Sequence, residues 1–496
     1  MLSASTSRPA RWLPWLILVL AAYVPVFHQL DTEAIKTFDE SLFALRAYHL
    51  TETGEYLNNF KELPGGPSAT NLKTPLFTGI QALSFSLFGY SELALRIPVA
   101  LMVLVLMGLM IYAGKQVAGA EYGWISCMIL LASWGFFHVH AARSGDHDVP
   151  LSAFLFLSAW ALYQYLETSS SKWIWLVGIA TWAAMMTKGV AGAFWVPGLA
   201  AYLFWKKGWG QLFHDRQFWL TAATCFGLLI GYYVYREWDY PGFISELWKG
   251  ELGGHYLRVH DGHDWPFLWY VNRLFTTRYS AWLLWIPLSW VLMWTPAGKP
   301  LRNWLVLMNC VMLFQLLIIS GSSTKLEWYD VPMYAPMAMI IGVGFVVIWK
   351  EWIQSSFQQP WKQWLIGGGL VLAIWLPAYV PVFEKNAEPT YIDYPGERYG
   401  GLMKQVKRMY PDHLDYTLVY SQFSTHCLYY RLTYNQAGYE VTRAMGPEDL
   451  EAGDWVMVCE PFMWEELQKF FIIEPRTSRD GCYFAELVAR LPQENS

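Results

Sequence analysis

Two carboxylates and a set of cations spread along the chain are the groups best suited to chemistry. Asp39 lies in Ile35-Lys36-Thr37-Phe38-Asp39-Glu40 and reads as an acid placed to accept a proton from a hydroxyl. The same residues also read as a capping box, Thr37-x-x-Glu40, with Asp39 merely facing the helix dipole. Lys73, in Asn71-Leu72-Lys73-Thr74-Pro75-Leu76-Phe77, could hold a phosphate as a point charge or snorkel at an interface. Arg143-Ser144-Gly145-Asp146-His147-Asp148-Val149-Pro150 crowds acids, a His and an Arg together, as a metal site, a charge cluster or a catalytic corner. Asp148, with Pro150 just inside the next helix, also reads as an N-cap.

Further groups follow. Thr187-Lys188-Gly189 ends an apolar stretch with a cation. His255, Arg258, His260, Asp261, His263 and Asp264 crowd one loop before Trp265-Pro266-Phe267-Leu268-Trp269-Tyr270. They read either as holders of a divalent metal or as a solvated polar loop. Ser322–Pro332 carries Lys325 and Tyr329. Arg96 falls in the first turns of an apolar helix, where a charge must be paired or snorkel, and Glu92 is its local candidate partner.

The elements that must position these groups follow from composition. Of 496 residues, 54% are hydrophobic and 15% charged, against about 25% charged in soluble domains. The 29 Trp and 30 Tyr suit membrane interfaces. Disorder is excluded by the apolar content, and a disulfide scaffold by only six Cys. A net charge of −5 argues against nucleic acid. A helix needs about 20 apolar residues to cross a bilayer. Eleven such stretches are legible: 12–30, 92–113, 122–141, 149–167, 173–188, 190–205, 217–235, 279–296, 302–320, 330–349 and 363–383. Only Gly189 clearly separates 173–188 from 190–205. The first stretch lacks a cleavage site and reads as a retained helix.

With a cytoplasmic amino terminus, the short loops carrying Lys115, Lys172, Lys206, Lys207, Arg216, Lys299, Arg302, Lys350 and Lys362 obey the positive-inside rule. Residues 1–383 then form a membrane domain with large outer loops near 31–91 and 236–278. In the first of these loops, residues 41–53 read as an amphipathic helix on the membrane surface. Residues 384–496 form an extracytoplasmic α/β domain, with strands at Asp415–Tyr420 and Asp454–Cys459 and helical pieces at Gly446–Leu450 and Phe462–Phe471. Its Cys427, Cys459 and Cys482 allow at most one internal disulfide. In this topology Asp39, Lys73, Arg143, Asp148, Lys188, His263, Lys325 and Tyr329 share one membrane face. Cations that hold a phosphate beside an acid that deprotonates a hydroxyl suit group transfer from a phosphate-linked lipid carrier. A transporter or flippase of a lipid-linked sugar would use similar cations, but transporter sites tend to lie at the midplane between repeated halves.

Taken in order, Asp39-Glu40, Lys73-Thr74-Pro75-Leu76, Phe88-Gly89-Tyr90-Ser91-Glu92, Arg96-Ile97-Pro98, Arg143, Asp148, Thr187-Lys188-Gly189, Gly262-His263, Lys325, Tyr329, Pro332 and Pro336 form a recognisable series. It resembles the GT-C glycosyltransferases of the protein O-mannosyltransferase and lipid A aminoarabinose transferase type. The resemblance implies a polytopic α-helical membrane enzyme of the cell inner membrane. Such an enzyme moves a sugar, with inversion, from a polyprenyl-phosphate donor to a lipid, cell-envelope glycan or protein acceptor among the membrane lipids. It implies Asp39 and Asp148 as catalytic acids, and Lys73, Lys325, Tyr329 and Arg143 around the donor phosphate. Glu40, His263 and Lys188 would stand on the acceptor or metal side, with a divalent metal near His263. The chain departs from the aminoarabinose transferase pattern at Leu72, where those enzymes usually carry an acid, and at Thr74, where they carry a second Pro.

Overall fold

Apolar helices make up most of the computed structural model, which describes residues 13–56, 72–138, 140–259, 262–388, 395–413, 415–421 and 424–492. The chain divides into two units. One comprises Met1–His28, Leu72–Phe77 and Pro98–Glu388, the other Gln29–Asn71, Thr78–Ile97 and Pro389–Ser496.

Among the described residues, seven helices are long and apolar enough to cross a membrane: Glu92–Val117, Asp148–Thr168, Lys172–Ala193, Arg216–Asp239, Lys299–Gly321, Glu327–Ser356 and Trp361–Ala387. Pro14–Phe27, Leu76–Phe88, Ala120–Leu131, Val196–Trp205 and Ser280–Leu292 are shorter apolar helices. Burial sorts the long ones. The most apolar stretch of Glu327–Ser356 is 100% buried within the protein, whereas that of Arg216–Asp239 is only 17% buried and exposes Leu220, Phe226, Leu228 and Val234. A helix that is apolar all round belongs in a core; one with a bare apolar face belongs against lipid.

Two breaks shape the first unit. Lys172–Lys188 ends at Gly189, whose φ of +55° is open to glycine at little cost, and Val196–Trp205 begins after a 3-10 turn. The stretch expected to span 122–141 stops earlier, at Leu131, and passes into a 3-10 turn at Trp134–Phe136. The Trp282 indole donates to the Ala132 carbonyl (3.1 Å), satisfying an acceptor left open at the helix end. Gly135 lies so close to the Tyr334 hydroxyl that any Cβ there would collide with it.

The second unit holds a five-stranded sheet. In chain order β1 is Asp415–Val419, β2 Glu440–Ala444, β3 Trp455–Val458, β4 Phe471–Arg479 and β5 Cys482–Arg490. The spatial order is β2-β1-β3-β5-β4, with β1 parallel to β2 and β3, and β5 antiparallel to β3 and β4. Both expected strands are present. The piece 446–450 is a 3-10 turn at Pro447–Asp449, and 462–471 is the helix Pro461–Phe470. Val458 pairs with Tyr483, so the next positions face each other, and these are the disulfide Cys459–Cys482.

Helix Asp39–Thr53 corrects an expectation. Its apolar face does not serve a membrane surface. Ala44, Leu45, Ala47 and Leu50 are buried in one cluster with Leu428 and Tyr429 of helix Thr425–Gln436. The Ser41 and Thr425 hydroxyls meet at 2.5 Å. The sequence pattern marks an apolar face but not what covers it.

Candidate functional site

The first unit builds its charged site from two neighbouring helices. Asp148–Thr168 and Lys172–Lys188 are joined by three residues, so they run antiparallel and the start of one lies beside the end of the other. Asp148 opens the first helix and Lys188 closes the second, each complementing its own helix dipole. Their side chains meet at 2.5 Å, with Asp148 only 2% exposed. His147 is the N-cap residue and Asp148 lies inside the helix, so the capping role read for Asp148 is not realised.

Tyr329 and the Lys73 segment gather at the same place. The Lys188 ammonium stands 5.7 Å from the Tyr329 ring centroid. The Thr74 hydroxyl donates to the Met185 carbonyl (3.1 Å) and accepts from the Gly189 amide (3.3 Å). That anchor ties half-buried Lys73, one residue away, to the end of the Lys188 helix. Asp148, Lys188 and Tyr329, all singled out in the sequence, are thus brought together, with Lys73 next in the chain to the Thr74 anchor. Asn71 lies outside the described residues.

Other groups read as site residues have structural partners. Arg143 donates to the Val24, Pro25 and His28 carbonyls at 3.0, 3.3 and 2.7 Å. It therefore caps the carboxyl end of helix Leu13–Phe27, where a cation is favoured. Lys325 is buried and its ammonium donates to the Ser322 carbonyl at 2.6 Å. Burial pulls its pKa below the ordinary lysine value, with Asp264 opposing the shift. His263 takes part through its backbone, its carbonyl accepting from the Lys325 amide at 3.1 Å. At the corner 143–150, Asp146 pairs with His140 at 3.0 Å, and His140 lies 4.3 Å from the Trp328 ring.

No cluster of three or more His, Cys, Asp or Glu side chains stands within reach of one metal ion among the described residues. His260 and Asp261, part of the His-rich loop, lie outside them.

A second ionic network was not singled out in the sequence. Arg278 is 2% exposed and Asp330 0%. Arg278 donates to the Asp330 carboxylate (3.2 Å), the Glu327 carboxylate (2.6 Å) and the Glu327 carbonyl (2.8 Å). Arg273 adds a bond to Glu327 (2.6 Å), and the Tyr334 hydroxyl donates to Asp330 (3.0 Å). The Tyr270 hydroxyl donates to the Leu326 carbonyl (2.8 Å), so the 322–330 segment carrying Lys325 and Tyr329 is tied to residues 263–278. The missed signal was charge beside apolar spans: Arg278 precedes one and Asp330 opens another.

In the second unit Glu40 forms a buried ion pair with Arg96. It is fully buried, and both oxygens bind Arg96, Oε1 to Nε at 2.7 Å and Oε2 to Nη2 at 2.9 Å. Oε2 also accepts from the Lys36 amide (2.7 Å), so the Thr37–Glu40 capping box does not form. Glu92, the expected partner of Arg96, instead accepts from the Tyr430 hydroxyl (2.6 Å) and pairs with Lys404 (3.1 Å). Asp39 remains half-buried in the first helical turn, next to exposed Phe38. Phe38 has φ +63° and ψ −117°, a strained conformation for a residue with a Cβ, and its carbonyl is held by the Ser41 hydroxyl at 2.9 Å. Such strain beside an acid is a feature of functional turns.

The comparisons with known proteins bear on this site. The dolichyl-phosphate-mannose-protein mannosyltransferase family matches residues 72–234, which include Lys73, Asp148 and Lys188. An uncharacterized protein of Aquifex aeolicus (strain VF5) is 27% identical over 337 residues, 66% of this chain and 62% of that protein. An undecaprenyl phosphate-alpha-4-amino-4-deoxy-L-arabinose arabinosyl transferase 1 of Pseudomonas fluorescens (strain Pf0-1) is 27% identical over 220 residues, 42% of this chain and 37% of that protein. The chain thus spans less than two thirds of the length of either curated relative. ArnT from Cupriavidus metallidurans, solved bound to undecaprenyl phosphate, superposes with a TM-score of 0.69 at 16% identity, covering 98% of this chain and 100% of that one. The oligosaccharyltransferase AglB from Archaeoglobus fulgidus, solved with an inhibitory peptide and a dolichol-phosphate, gives 0.55 at 10% identity, covering 97% and 76%. At such identities the likeness is one of fold. The fold is that of a multi-pass membrane protein with the GT-C architecture. Within that fold, residues 72–234 are similar to the dolichyl-phosphate-mannose-protein mannosyltransferase family.

Proposed function

We propose that the chain is an inverting glycosyltransferase. It moves a sugar from a polyprenyl-phosphate donor to a lipid, glycan or protein acceptor at the outer face of the cell inner membrane. Its amino terminus is cytoplasmic and residues 384–496 are extracytoplasmic. The observation that supports the reading is the meeting of Asp148, Lys188 and the Lys73 segment, all inside the family-matched region, with Tyr329 from outside it. The ligands of the solved structures it resembles, undecaprenyl phosphate and dolichol-phosphate, support the donor class.

The reaction is one displacement. An acceptor oxygen attacks the anomeric carbon, and the bond from that carbon to the phosphate oxygen breaks. Its electron pair leaves with the polyprenyl phosphate, and the acceptor proton passes to Asp39. Lys73 neutralises the departing phosphate beside Tyr329, and Asp148 holds Lys188 in place at the same point. Arg143, Lys325 and Glu40 act on the surrounding fold.

No observation favours a transporter. The test is purified protein in liposomes with a panel of labelled polyprenyl-phosphate sugars and an envelope lipid or glycan extract. Label passing from donor to acceptor supports the proposal. Donor that crosses the bilayer without transfer to any acceptor overturns it.

A further inference from the structure

The second unit contains a cavity of about 440 Å³ that the proposed reaction does not use. Lys404, Lys407 and Arg408 line it from helix Pro395–Met409, where their spacing puts all three cations on one side. The lining residues include one carboxylate, Glu92, already engaged by Lys404 (3.1 Å) and the Tyr430 hydroxyl (2.6 Å). Three cations against one carboxylate leave two positive charges in the wall. Clustering like charges on one helix face is unfavourable for the helix itself. Lys407 lies 5.2 Å from the Tyr434 ring, so a cation and an aromatic face are presented together.

A second observation points to a ligand. Tyr429 lines the same cavity, is 2% exposed, and its buried hydroxyl has no hydrogen-bond partner. Buried hydroxyls are nearly always paired, and an orphan one in a cavity wall is a donor awaiting an acceptor. Aromatic rings cover the apolar face of a sugar, and a hydroxyl and a carboxylate bind its hydroxyl groups. Surplus cations bind an attached anionic group.

We propose that this cavity binds an acidic saccharide, one whose sugar ring carries a phosphate or a carboxylate. Lys407 and Arg408 take the anion, the tyrosine wall takes the ring, and the Tyr429 hydroxyl donates to a ring substituent. This goes beyond the transferase reading, because binding here needs neither donor nor transfer.

The experiment is titration calorimetry on the full chain in phosphatidylcholine nanodiscs, without donor, using glucose 6-phosphate, glucuronic acid, glucose and inorganic phosphate. One or both acidic sugars should bind with Kd below about 1 mM. The tighter of the two identifies the anion, and it should bind at least about tenfold tighter than glucose or phosphate alone. The Lys407→Ser/Arg408→Ser variant, changed only at exposed positions, should lose that tenfold preference. Tyr429→Phe should weaken the acidic sugar about threefold to tenfold and leave inorganic phosphate unchanged. Equal affinity for acidic and neutral sugar, no binding of either acidic sugar, or unchanged binding in both variants would overturn the proposal. Because donor is absent, either result leaves the transferase reading standing or falling on its own assay.

Discussion

Replacing Glu40 by Gln should damage the fold of the second unit rather than the chemistry. The Arg96 side chain is 3% exposed and Glu40 0%. A guanidinium has five N–H donors. Arg96 directs bonds to both Glu40 oxygens and to the carbonyls of Leu30, Glu33 and Ala34, at 2.7 to 2.9 Å. Gln would keep the shape but lose the charge, and its amide would turn a donor toward a donor. Breaking a buried pair by removing one partner costs about 3–5 kcal/mol. At about 2–4 °C per kcal/mol for a body of this size, the melting temperature should fall by ~6–20 °C. The assay is thermal unfolding of purified wild type, Glu40→Gln, Arg96→Met and the double variant, which together form a mutant cycle. The double variant should recover part of the loss, since no charge is left stranded. If Glu40→Gln melts within about 2 °C of wild type yet fails to transfer sugar, Glu40 belongs to the reaction and the structural assignment is refuted.

Three further outcomes follow from the same physics. Lys188→Ala strands the buried Asp148 carboxylate and should cost about 3 kcal/mol; Asp148→Asn in the same chain should restore part of it, and a coupling energy under about 0.5 kcal/mol would contradict the pairing. Arg278→Lys keeps the charge but cannot reach Asp330 and both Glu327 acceptors at once. It should destabilise the protein by about 2 kcal/mol or more, so an unchanged unfolding curve would count against the network. His426 is fully buried between the Ile35 carbonyl and the Gly400 amide, and burial holds its pKa at about 4, with the Ile35 bond and Glu40 opposing and Lys36 adding to the shift. Its folded pKa lies below the unfolded value of 6.5, so the unfolded chain takes up the proton first as pH falls. Stability should drop by about 3 kcal/mol between pH 6.5 and about 4. Urea unfolding across that range should show a shallower pH slope for His426→Asn, and equal slopes would contradict the account.

Sequence patterns were informative where the governing interaction is local or the constraint geometric. Gly189 marked a helix break that its positive φ bears out. Apolar length marked the helices, and alternation marked β1 and β3. The limit of one disulfide among Cys427, Cys459 and Cys482 held because only two of them fall opposite each other in strand register. Long-range pairing was not legible. Arg96 had Glu92 as a neighbour at helical spacing, but its partner is Glu40, 56 residues away. Nothing in sequence shows that Arg143 reaches the end of Leu13–Phe27. The Arg278 network joins residues about fifty positions apart, and no period or spacing encodes it.

The central claim is that Asp39 and Lys73 act at different points of one transfer step. It is tested by single-turnover transfer of labelled sugar by wild type, Asp39→Asn and Lys73→Ala, with donor binding measured in parallel. The account predicts that Asp39→Asn slows transfer by about 10²–10⁴-fold with donor affinity unchanged. It predicts that Lys73→Ala weakens donor binding by about tenfold to a hundredfold. Transfer at the wild-type rate in Asp39→Asn, or donor binding unaltered in Lys73→Ala, would contradict it.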